Sequence, residues 1–152
     1  RCIEYSKSVE DNVVISTFGV TVNPDNITYY DVRRTGVDTF LNTPLQVDMG
    51  GEGWFMKTEL LQHFLRGSII EPSNGEDLHF SFSLHSVGIP IVVLDKDKKD
   101  KDTWQDLTLG RRGADEFGLH RTDNEHYIKR DKLLKLYATK GWKFNKGLKA
   151  LI

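Results

Sequence analysis

Two β-branched apolar runs constrain this chain more than any other feature: Val13-Val14-Ile15-Ser16-Thr17-Phe18 and Ile89-Pro90-Ile91-Val92-Val93-Leu94. Both are nearly continuous, as strands buried on both faces are. Pro90 has no N–H to donate, so it belongs at the start of its strand or on an edge. Between the runs lie helical signals. Lys57 to Arg66 sets Leu60, Leu61, Phe64 and Leu65 at i, i+4 spacing, with Gly67 beyond as a stop. In Leu78 to Val87 the residues Leu78, Phe80, Phe82 and Leu84 alternate as in a strand. The context favours a helix, with Ser73-Asn74 as caps, acidic residues in the first turn and Gly88 as terminator.

The remaining elements are shorter. Arg1 to Lys7 reads as a helix entered without an initiator methionine, which suggests the C-terminal part of something larger. Gly19 ends the first apolar run, Asn23-Pro24-Asp25-Asn26 is a turn cluster, and Ile27 to Val32 reads as a short strand. Gln46 to Met49 is another short strand, leading into Gly50, Gly51 and Gly53. Asp131 is placed to cap a last helix with Leu133, Leu134, Leu136 and Tyr137 as its apolar face, ending at Gly141. The order α, β, β, β, α, α, β, long loop, α is an α/β layout without internal repeat. Residues 1–152 form one domain-sized unit.

Composition narrows the function classes. Hydrophobic residues make up 38% and charged residues 28%, a globular balance. The formal net charge of −1 provides no field to draw in nucleic acid. The single cysteine, Cys2, excludes an internal disulfide framework and fits a reducing, cytoplasmic setting. No apolar run approaches the roughly 18–20 residues of a membrane span.

Chemistry is concentrated in Gly75-Glu76-Asp77. Neither carboxylate has a basic neighbour in sequence, and both fall where a helix begins. Unpaired backbone N–H groups there stabilise anions, and such an anion can accept a substrate hydroxyl's proton. Ordinary acidic capping explains the same residues. Adjacent helical positions point about 100° apart, so one carboxylate is expected to face a site and the other the backbone. Gly50, Gly51 and Gly53 permit positive φ or close backbone approach to a ligand, and a plain turn is equally consistent. The run is neither a dinucleotide fingerprint nor a P-loop. Arg111 and Arg112 suit a diphosphate or an exposed basic turn. His120 is a structural histidine or a metal ligand, and the other histidines lack ligand spacing. Asp95-Lys96-Asp97 and Asp100-Lys101-Asp102 read as a solvated loop, since lysines neutralise the aspartates. Trp54, Trp104 and Trp142 offer faces for sugar rings or fill the core.

Together, Gly50-Gly51-Glu52-Gly53, Gly75-Glu76-Asp77 and the later His120 resemble, in that order, the C-terminal half of a GT-A-fold glycosyltransferase of the family 2-like type. The likeness spans most of residues 10–125, and Val13 to Phe18 with Gly19 looks like the stretch after the family's Asp-x-Asp region. It implies a Rossmann-like mixed sheet flanked by helices and lacking its N-terminal nucleotide-binding half. It also implies a nucleotide-sugar donor, a glycan or other hydroxyl acceptor, and a divalent metal, Mn2+ or Mg2+. Carried over by position, Asp77 is the catalytic base and Glu76 assists acceptor placement. Asp48, Gly50, Gly51, Gly53 and Trp54 lie along donor sugar and acceptor. His120 completes the metal shell, and Arg111 or Arg112 meets the diphosphate. One departure is plain: no Asp-x-Asp precedes Asp48. Spacing does not distinguish inverting from retaining transfer. A non-catalytic carbohydrate-binding or scaffold module of the same fold is the rival from another class, and an enzyme acting on DNA bases is disfavoured by the charge.

Overall fold

The computed structural model describes residues 1–10, 12–36, 41–65, 75–96 and 124–145. These form an α/β structure around a five-stranded mixed sheet. Everything is built on β1 (Val14–Val22). Its Ile15 pairs with Phe55 of β4 (Met49–Phe55) and with Val92 of β5 (Ile91–Val93), so those strands flank opposite edges. Gly19 pairs with Gly50 of β4 and with Thr35 of β2 (Val32–Thr35), which puts β2 on the β5 edge at the far end of β1. β5 runs parallel to β1, whereas β2 and β4 run antiparallel.

β3 (Leu45–Val47) pairs antiparallel with β5, then passes through Asp48 directly into β4 on the other side of β1. So short a connection between distant edges curls the sheet on itself. The closure is tightest at Gly19, where a Cβ would lie 2.5 Å from Val47 Cγ1 and 2.8 Å from Val93 Cγ2. Gly19 therefore does not end the strand, as its apolar run suggests; it lets β1 continue beneath Val47.

Both faces are covered, which accounts for the unbroken apolar runs. On one face, α1 (Cys2–Ser8) lays Cys2 and Tyr5 over Val13, Ile15, Val92 and Leu94. On the other face Val14, Val47, Ile91 and Val93 meet Phe80 and Leu84 of α2 (Glu76–Ser86). A neighbouring cluster joins Val20, Val22, Met49 and Leu78 to Leu133, Leu134 and Tyr137 of α3 (His126–Thr139). No helix among the described residues is long and apolar enough to cross a membrane.

α2 forms where expected and stops at Val87-Gly88, with Gly88 at φ 76°. Its period is obscured because it is wedged between clusters: Leu78 joins one and Phe80 and Leu84 another, while Phe82 stacks on Tyr137 at 4.4 Å. Its N-cap is Gly75 at φ 139°, without a side-chain cap bond; Ser73 and Asn74 lie outside the described residues.

Three expectations are corrected. Residues 27–31 form a loop, because Asp31 accepts the amides of Asn23 and Asn26 at 3.1 and 3.0 Å and β2 begins only at Val32. The helix expected from Lys57 is a 3₁₀ helix (Thr58–His63), which buries Leu60 and His63 at i, i+3 and leaves Leu61 and Leu65 exposed. α3 starts at His126, so Asp131 is inside the helix rather than capping it. There its Oδ1 accepts the Thr28 hydroxyl at 2.6 Å and the Tyr29 N–H at 2.7 Å, fastening the loop to the helix.

Gly19→Ala is expected to lower stability by about 1–3 kcal/mol, the usual cost of overpacking, measured as a lower urea midpoint. An unchanged midpoint would mean that Val47 and Val93 yield freely.

Candidate functional site

The first turn of α2 and the glycine segment, far apart in sequence, meet at one cavity of about 330 Å³ lined by Gly51, Trp54, Phe64, Glu76, Asp77 and Phe80. Its size is at the lower end for ligand pockets. The glycines are not a loop but the body of β4, and none of Gly50, Gly51 and Gly53 has positive φ. What they supply is close approach. A Cβ on Gly50 would meet the Trp54 ring at 2.9 Å, one on Gly51 the Phe18 ring at 2.9 Å, and one on Gly53 the Thr17 side chain at 3.1 Å.

A bulge completes this wall. Ser16 pairs with Trp54 and Phe18 with Gly51, so two steps along β1 match three along β4. Residues an odd number apart on a regular strand face opposite sides. The extra residue brings Gly51 and Trp54 onto the same cavity. Buried Ser16 secures it: its hydroxyl accepts the Gly51 N–H at 3.0 Å and lies 2.8 Å from the Gly51 carbonyl.

Both carboxylates line the cavity, although helical geometry predicts that only one would. Phe80, also in the lining, follows Glu76 at i+4 and Asp77 at i+3, so both carboxylates neighbour it on the helix surface. Glu76 Oε2 accepts the Gly75 N–H at 3.0 Å. That bond outweighs partial burial and holds the Glu76 pKa below its ordinary value, helped by Arg130 and His126.

Asp77 differs from expectation in its surroundings. It has no basic neighbour in sequence, but in space the Arg130 guanidinium of α3 meets its Oδ2 at 2.5 Å, while its Oδ1 accepts the Leu78 N–H at 2.8 Å. The Asp77 side chain keeps 27% of its exposure and Arg130 only 8%. Arg130 also lies over the Tyr29 ring, 4.7 Å from its centre. Burial opposes its charge, but Asp77 and Tyr29 more than compensate, leaving its pKa above the ordinary value. Each Asp77 oxygen thus has one protein donor, and a second lone pair on each remains for a ligand.

The other expected residues are placed elsewhere. Asp48 is buried at the β3–β4 junction, away from the cavity. Its Oδ2 accepts the Val22 N–H at 2.8 Å, and its Oδ1 accepts the Asn145 N–H and Nδ2 at 2.8 and 2.9 Å. Burial raises its pKa to about 6 against those bonds. Gly50 and Gly53 are tied to Ser81 and Thr17 through their N–H groups. Trp142 belongs to the core. Arg111, Arg112, His120 and Trp104 lie outside the described residues, as do Asp97, Asp100 and Asp102. Asp95 is ion-paired with Arg1. Among the described residues no three His, Cys, Asp or Glu side chains cluster as a metal site would need.

Sequence inspection did not assign Arg130, Phe64 or Phe80 to the site. Arg130 precedes the helix read from Asp131, and Phe80 entered only through the alternation of Leu78 to Leu84; it also belongs to the core. His79 is buried, with Nδ1 2.8 Å from the Tyr137 hydroxyl, and its Nε2 finds no hydrogen-bond partner among the described residues. No protein-family model, curated protein or solved structure matches this chain.

Asp48 carries a pH signature. Its folded pKa, about 6, lies above its unfolded value near 3.8. The folded state therefore holds the extra proton, and this contribution to stability falls as pH rises from about 4 to 6, then levels. At about 1.4 kcal/mol per unit, the loss is on the order of 3 kcal/mol. Urea midpoints measured from pH 4 to 7 should decline more steeply for the wild type than for Asp48→Asn. Parallel curves would refute the assignment.

Proposed function

We propose that this chain is the acceptor-side part of a glycosyltransferase that moves a sugar from a nucleotide-sugar donor to a hydroxyl, with Asp77 as general base and inversion at the anomeric carbon. The single observation that supports it is the convergence of Gly51, Trp54, Glu76 and Asp77, separated in sequence, on one cavity. Trp54 offers an apolar ring beside two hydrogen-bond-accepting carboxylates, the combination that a sugar's apolar face and hydroxyl edge require.

In the proposed step the acceptor oxygen bonds to the anomeric carbon as the bond from that carbon to the diphosphate oxygen breaks. The diphosphate leaves with the electron pair, and the acceptor proton passes to Asp77. Arg130 positions the Asp77 carboxylate, since a guanidinium on one oxygen and a backbone N–H on the other restrict its rotation. A divalent metal, implied by the resemblance, would supply charge to the departing diphosphate.

The second reading, a carbohydrate-binding module without chemistry, is favoured by that same ion pair, which already commits one face of Asp77 to the protein. Turnover separates the two. In the complete protein, Asp77→Asn should reduce nucleoside diphosphate release by about 10²–10⁴-fold while leaving the fold intact, because asparagine still offers Arg130 an oxygen. Undiminished release would exclude Asp77 as base. Saccharide binding without release by the wild type, across a donor panel with manganese, would favour the binding module.

A further inference from the structure

The rings lining the cavity are not arranged as a floor. Trp54 is inclined 51° to Phe80 with centres 5.1 Å apart, and Phe64 stands nearly perpendicular to Phe80, at 80° and 5.7 Å. A flat sugar ring gains most from one parallel aromatic face. Walls that meet at such angles enclose a corner, which suits a small rounded group. The electron-rich faces of aromatic rings attract cations, most strongly when water is displaced.

Charge at the rim points the same way. Asp77 is matched by Arg130. Glu76 makes no ion pair among the described residues; its carboxylate is held by backbone N–H groups, that of Gly75 at 3.0 Å and its own. It is also exposed at the opening. Arg130 and His126 act on it from α3 only through space. The cavity thus presents three aromatic walls and one carboxylate without a contacting cation.

We infer that this cavity takes a compact organic cation, a protonated amine borne by the acceptor, with Glu76 as its counter-ion and Trp54, Phe64 and Phe80 as its walls. The inference rests on the reading of the cavity as the acceptor pocket and specifies the acceptor as an amine-bearing one, such as an amino sugar. Asp77 then faces the neighbouring hydroxyl while Glu76 holds the ammonium, so the two carboxylates have separate tasks.

The test needs no turnover. The isotope-labelled complete protein is titrated with choline chloride and, separately, with dimethylbutanol, the neutral carbon analogue of choline. Glucosamine and glucose form a second pair, and sodium chloride at matched ionic strength is the control. The Trp54 indole N–H signal, identified by its loss in Trp54→Phe, is the readout. At least one cation should bind about tenfold more tightly than its neutral counterpart, a margin typical of a desolvated cation–π contact. Glu76→Gln, which keeps an acceptor for the Gly75 N–H, should remove most of that margin with the backbone spectrum unchanged. Equal binding within both pairs, no perturbation by either cation, or a margin untouched by Glu76→Gln would overturn the inference. If the cations fail while Asp77→Asn still abolishes transfer, only the amine assignment falls. If they bind while transfer is indifferent to Asp77, the general-base assignment falls instead.

Discussion

β1 carries partner strands on both of its edges, and the rest of the structure answers to that. A strand paired with β4 on one side and with β5 and β2 on the other has its backbone donors and acceptors satisfied by neighbours. With α1 below and α2 and α3 above, its side chains leave water in both directions. Because β3 and β4 are nearly continuous yet serve opposite edges, the sheet curls, and it does so where Gly19 has no side chain to obstruct Val47. The site follows from this curl: the bulge in β4 turns Trp54 toward the first turn of α2.

Three carboxylates then fasten what the sheet leaves loose. Asp131 binds the loop before β2 to α3 through Thr28 and Tyr29, and Asp77 holds α2 to α3 through Arg130. Asp48 holds the segment after α3 through Asn145, while Trp142 and Phe144 from that segment enter the core. Removing one partner of such a buried pair leaves the other desolvated and unsatisfied, so these contacts specify position more than they add net stability. The cavity borders one of them, the Asp77–Arg130 pair. Its rigid carboxylate is Asp77, already engaged by the protein, and its available carboxylate is Glu76.

The candidate site was legible in its residue types and not in its surroundings. Gly51, Trp54, Glu76 and Asp77 drew notice through composition at short range: glycines without side chains, and acids at a helix start. Asp48 looked equivalent to them in sequence but is consumed by backbone N–H groups at a strand junction, an environment created by residues on either side of a fold. Positive φ and a turn, two of the readings that the glycine segment allowed, do not hold in a strand. Here glycine was needed for the space that neighbouring Trp54, Phe18 and Thr17 occupy.

By itself the sequence determined the α/β class, the two central buried strands, α2 with its Gly88 stop, and the absence of a membrane-length apolar run among these segments. Each of these depends on neighbours within one or two turns, or on a run of apolar residues whose burial is independent of what covers it. Only the tertiary structure decided that Arg130 meets Asp77, that β3 and β4 close the sheet, that Asp131 faces a loop instead of starting a helix, and that three rings converge at one opening. Those outcomes pair residues distant along the chain. Their energies come from desolvation and geometry at the contact, and no local pattern encodes them.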